Sequence, residues 1–117
     1  MLIHIVCWKY KAETPAAARE QHIVTLRSLP GKIECIKTFD VGSDILDLDR
    51  SFDTGLVAGF KNREALDEYT VHADHLAVAT MGRQIAEKVV SVDFLTDGTA
   101  ALKANDFMSD NIIDRRY

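Results

Sequence analysis

The stretch Leu2–Tyr10 limits what this chain can fold into more than any other. Its Ile, Val, Trp and Tyr content reads as a β-strand. A period of two puts Leu2, His4, Val6, Trp8 and Tyr10 on one face and Ile3, Ile5, Cys7 and Lys9 on the other. Both faces are largely apolar, so both have to be covered. In a small domain that means helices on one side and a partner subunit on the other. His4 is then expected to point, with Trp8 and Tyr10, into packed surroundings.

The following residues supply the helices and further strands. Thr14-Pro15 predicts a helix start, with Thr14 as N-cap and Pro15 at the first helical position. Ile23, Leu26 and Leu29 form its inner stripe, His22 lies near the stripe's edge, and Pro30-Gly31 stops it. Ile33 to Val41 alternates as a second strand. The connection from Gly42 to Ser51 carries Asp44, Asp47 and Asp49 but lacks the glycine and closing glutamate of a calcium loop, so it reads as solvated. Phe52 to Phe60 is a third strand, with Phe52, Leu56, Ala58 and Phe60 on one face and Gly55 and Gly59 on the other. Asn62 caps a helix through Ala65, Leu66 and Tyr69 that ends near His72. A second helical run spans His75 to Ala86, and Val89 to Phe94 is a fourth strand.

The order β-α-β-β-α-β is the split βαβ pattern of the α+β, ferredoxin-like class. It predicts a four-stranded antiparallel sheet with helices on one face. The opposite face, carrying Ile3, Ile5 and Cys7, is too apolar to stay wet, so a homodimer joined through the sheets is expected.

At 117 residues the chain reads as one domain, and its 47% hydrophobic content suits a folded core. The net charge of −4 with scattered basic residues leaves no footprint for nucleic acid. No apolar run approaches the roughly 20 residues that span a bilayer. Met1–Cys7 has no basic leader, and its apolar run ends at Lys9 and Lys11, which points to a cytoplasmic protein with no membrane attachment. Cys7 and Cys35 make no disulfide framework and read as small hydrophobes. A small molecule or another protein is the expected partner.

The chemistry concentrates in Tyr69-Thr70-Val71-His72-Ala73-Asp74-His75, which holds a phenol, two imidazoles and a carboxylate in seven residues. A Tyr and a His facing each other in a closed pocket can serve as hydrogen-bonding orienter and general base. The same residues can also cap helices and hold a bend, and the spacing alone allows both. A metal site from His72, His75 and His4 is a third arrangement, but zinc chemistry needs at least three protein ligands, and none is expected here. No activated Ser or Cys is evident and no motif asks for a cofactor.

Several of these features, in order, resemble the stress-responsive dimeric α/β barrel domain family. They are the His4-Ile5-Val6 strand, Gly42, Phe52-Asp53, and Phe60 leading into Glu64-Ala65-Leu66-Asp67-Glu68-Tyr69. The paired His72 and His75 and the closing Val92-Asp93-Phe94 complete the set. The resemblance covers residues 1–96 as the domain and leaves 97–117 as an extension. In that extension Phe107, Met108, Ile112 and Ile113 are expected to pack on the same or the partner subunit. Where the family typically has Tyr-x-x-His-Pro-x-His, this chain has Ala73 for the proline, so the bend between helices is expected to be less fixed.

The resemblance implies a homodimer whose sheets pack into a barrel, with a small pocket between each sheet and its helices. It implies ligand contacts from Val6, Trp8, His22, Leu56 and His72. Many relatives have no established activity. A plant polyketide cyclase of the family performs an intramolecular aldol closure without metal or cofactor. Its catalytic Tyr and His match Tyr69 and His75, and its early-strand His matches His4. Arg19 and His22 on the first helix suggest a smaller or more polar ligand than that enzyme takes.

Overall fold

The structure is a computed structural model and describes residues 1–96. Strands β1 (Leu2–Tyr10), β2 (Thr38–Ser43), β3 (Thr54–Phe60) and β4 (Ala86–Leu95) form one sheet in the order β2-β3-β1-β4, every neighbouring pair antiparallel. Helix α1 (Ala16–Arg27) connects β1 to β2 through a short 3-10 turn at Leu29–Gly31. Helices α2 (Arg63–Val71) and α3 (Ala73–Ile85) together connect β3 to β4. This is the expected ferredoxin-like arrangement, with the second helix broken in two. The extension expected to pack through Phe107 and its neighbours lies outside the described residues.

The even-numbered face of β1 builds the core. Antiparallel register sets Leu2 against Phe60, His4 against Ala58 and Val6 against Leu56, so one apolar row continues across two strands. Leu26 of α1, Leu66 and Tyr69 of α2, and Val78 of α3 close over it, each at most 8% exposed. The odd-numbered face carries the row Val57–Ile5–Val92 and the pair Ile3–Phe94, and no helix among the described residues covers it. Val57, Val92 and Phe94 remain 41%, 53% and 45% exposed in the single chain.

Several boundaries differ from the sequence expectation, the third strand among them, which begins at Thr54 and not Phe52. The helix begins at Ala16 with Pro15 in the cap position, not at Pro15, and no side chain caps it. Thr14 instead donates its hydroxyl to the Ile85 carbonyl at 3.1 Å, tying the helix start to the end of α3. The second strand starts at Thr38, not Ile33. Residues before it fold into turns, with the Ile33 N–H on the Leu29 carbonyl and the Cys35 thiol on the Ala65 carbonyl of α2 at 3.3 Å. Ile33 and Cys35 thus alternate because they pack inward from a turn, which a period of two cannot distinguish from a strand. The last strand begins at Ala86, directly after α3 with no linker. The free Ile85 carbonyl there is taken by Thr14 and by the Lys11 N–H at 2.8 Å.

Candidate functional site

The junction of α2 and α3 sets the site. Asn62 caps α2, its side-chain oxygen accepting the Ala65 N–H at 3.0 Å, as the Asn type predicts at that position. The helix then presents Leu66 and Tyr69, three apart, to the core. At His72 the backbone turns extended (φ −64°, ψ 137°), and the imidazole Nδ1 accepts the Asp74 N–H at 3.1 Å to cap α3. The bend is therefore held by His72 itself, without a proline at position 73.

His75 sits in the first turn of α3. Its Nδ1 lies 3.0 Å from the Thr70 carbonyl, which can only accept, so the ring donates there and Nε2 is left as the basic nitrogen. The Tyr69 ring lies against it, with centroids 4.3 Å apart, and His4 approaches Tyr69 at 6.0 Å. The His4 Nδ1 is in turn hydrogen-bonded to the Asp93 carboxylate on β4. Burial lowers the His75 pKa below its ordinary value, and the nearby charges of His4, Arg83 and His72 push the same way against the Thr70 hydrogen bond. The ring is thus neutral at pH 7. Burial raises the Tyr69 pKa, so its phenol stays protonated and available as a donor.

These groups line a cavity of about 270 Å³ between the sheet and α3. Its polar end is formed by His4, Tyr69, Thr70 and His75. Its body is Val6, Trp8, Leu26, Leu56, Val78, Ala79 and Ser91, with Arg83 and Val89 at the Trp8 end. Of the residues anticipated from the sequence, the structure gathers His4, Val6, Trp8, Leu56, Tyr69 and His75 on this wall. His72 stands aside as the helix cap. His22 is fully buried behind Trp8, with rings 4.9 Å apart and its Nδ1 2.8 Å from the Tyr10 hydroxyl, and it does not reach the wall. Arg19 lies over the Tyr10 ring at 5.2 Å, away from the cavity as well.

Sequence reading overlooked Thr70, Leu26, Val78, Ala79, Arg83, Val89 and Ser91 on the wall. For the α3 members a signal existed: positions 75, 79 and 83 are four apart and share one helix face. Val89 and Ser91 are placed by pairing with Trp8 and Val6, which no local pattern reveals. Among the described residues, no group of three or more His, Cys, Asp or Glu is arranged to hold a metal ion. No helix among them is long and apolar enough to cross a membrane.

Fold and site together define a ferredoxin-like domain with a single-sided pocket. The Stress responsive A/B Barrel Domain family model matches residues 2–96, and the chain belongs to that family. A dimeric ferredoxin-like protein of unknown function from Thermobifida fusca superposes with a TM-score of 0.75 at 24% identity, covering 81% of this chain and 90% of that one. The Arabidopsis thaliana protein At3g17210 gives 0.72 at 25% identity, covering 84% and 97%. A hydroxynitrile lyase from Passiflora edulis gives 0.74 at 19% identity, covering 83% and 94%. Among curated protein sequences, none matches this chain.

Proposed function

We propose that this protein is a homodimer that binds a small molecule in the cavity between its sheet and α3. The observation that carries the reading is the cavity's composition. A largely apolar cavity of about 270 Å³ carries four polar groups from the α2–α3 junction and β1, the pattern of a site that orients a mostly apolar ligand by a functional group. The row Val57–Ile5–Val92, which no described residue covers, supports the dimer, since exposed apolar patches of this kind mark interaction surfaces. Two unpaired cysteines, Cys7 and Cys35, fit a cytoplasmic setting.

A second reading, proton transfer next to a carbonyl, is favoured by one contact. With Nδ1 donating to the Thr70 carbonyl, His75, a residue of the cavity lining, keeps Nε2 as its basic nitrogen next to the protonated phenol of Tyr69. His75 would take the proton and Tyr69 would hydrogen-bond the developing enolate oxygen. Such stabilisation of developing charge is often worth roughly 3 kcal/mol of barrier. His4, held by Asp93, would position the ligand from the sheet.

Acetophenone tests both readings. Amide chemical-shift mapping is expected to place it against Trp8, Val78 and Ala79, and filling the cavity with Ala79→Trp is expected to abolish the shifts. Deuterium exchange into its methyl group is expected to be accelerated by the wild type and not by His75→Ala. That variant loses a hydrogen bond worth about 1 kcal/mol and the ring packing against Tyr69, so its Tm should fall while the fold is kept. Binding without accelerated exchange would leave a binding protein and remove the enzyme.

A further inference from the structure

We propose that the ligand of this pocket is an acid, its carboxylate paired with Arg83 at the rim and its uncharged carbonyl end reaching Tyr69 and His75. The inference rests on the small-molecule reading above and adds the chemical class. Among the described residues, Arg83 is the only Lys or Arg on the cavity wall, and no Asp or Glu lines it. Among the described residues the guanidinium has one hydrogen bond, to the neutral Thr80 hydroxyl at 3.2 Å, and no ion pair. A planar fork of donors with no carboxylate partner is a ready anchor for one.

The geometry supplies the length. Arg83 and His75 lie eight residues apart on α3, about 12 Å along the axis. On the facing strand, His4 and Trp8 mark the same two ends, four residues or about 13 Å apart. The cavity is thus an elongated slot with a cation at one end and the Tyr69–His75 pair at the other, walled by apolar side chains between. Beside Arg83, a Cβ on Gly82 would lie 2.9 Å from both His22 Nε2 and Trp8 Nε1, so this part of α3 rests directly on those rings. On β4, Val89 pairs with Trp8 at the Arg83 end, and Ser91 adds a hydroxyl beside Val6, midway along the slot.

Calorimetric titration of the full chain with para-acetylbenzoate and with its methyl ester tests this. These probes share an aromatic body and a ketone and differ at the carboxyl end, which is charged in the acid and capped by a methyl group in the ester. The acid is expected to bind at least about tenfold tighter, because the pair forms a charge-assisted bidentate contact that the ester cannot. Arg83→Gln is expected to erase that preference by weakening the acid alone, Arg83→Lys to keep part of it, and added salt to shrink it. An Arg83 that merely complements the dipole at the end of α3 would shift the Tm on substitution and leave the preference intact. Equal affinities in the wild type, or a preference that survives Arg83→Gln, overturn the carboxylate assignment. The pocket reading would stand in that case, provided that Ala79→Trp still removes ester binding. Binding of neither probe overturns both.

Discussion

His22 is the residue whose surroundings say most about the chain's response to acid. It is fully buried, its Nδ1 meets the Tyr10 hydroxyl, and its Nε2 has no hydrogen-bond partner among the described residues. Burial lowers its pKa, as it lowers that of His75. Above about pH 6.5, the unfolded value, both rings are neutral in either state and the fold keeps its full stability. As pH drops below that value, the unfolded chain takes up protons that the folded chain refuses, so stability falls. The Tm of the wild type is expected to decline between pH 7 and pH 5, and His22→Gln to decline less steeply, as read by thermal melts across that range. An unchanged slope would mean that other groups carry the acid response. The sequence placed His22 near the edge of a helical stripe, but a helical wheel cannot tell that β1 brings Trp8 and Tyr10 onto that edge.

At the scale of elements, α3 is set by its contacts more than by its own propensity. A glycine inside a helix costs roughly 1 kcal/mol relative to alanine, so Gly82→Ala would stabilise an isolated helix. Here the added Cβ would sit 2.9 Å from two buried rings, and overpacking of this kind costs about 1–3 kcal/mol. The rings are held by their own packing and cannot swing away as a flexible chain end would. Gly82→Ala is therefore expected to lower the Tm, and chemical denaturation measures the deficit; a higher Tm would show that the rings yield. The cap of α2 by Asn62 and the break at His72 were legible, since both depend on local backbone chemistry. The start of β2 was not, because Ile33 and Cys35 alternate while packing inward from turns.

For the whole molecule, the two faces of the sheet have opposite fates. One is closed by three helices. The other leaves Ile5 between Val57 and Val92, with Phe94 beside Ile3, as a continuous apolar surface. In the proposed dimer this surface is the interface, and a charge at its centre removes much of the reason to associate. Ile5→Asp is expected to convert the dimer to a monomer by light scattering after gel filtration, while Lys9→Asp at the end of the same face should not. A wild type that elutes as a monomer would remove the dimer from the reading.

Sequence alone determined the order of the elements, the two-sided character of β1, and the grouping of Tyr69, His72 and His75, because each follows from a period or a cap within a few residues. Tertiary structure decided which of these meet. The His4–Asp93 pair joins residues 89 positions apart, and Ser91 reaches the slot because β4 pairs with β1 in one register. A slip by one residue would turn Ser91 and Asp93 to the opposite face. That register is fixed by long-range pairing and by burial of Trp8 and Leu2, neither of which a local pattern contains.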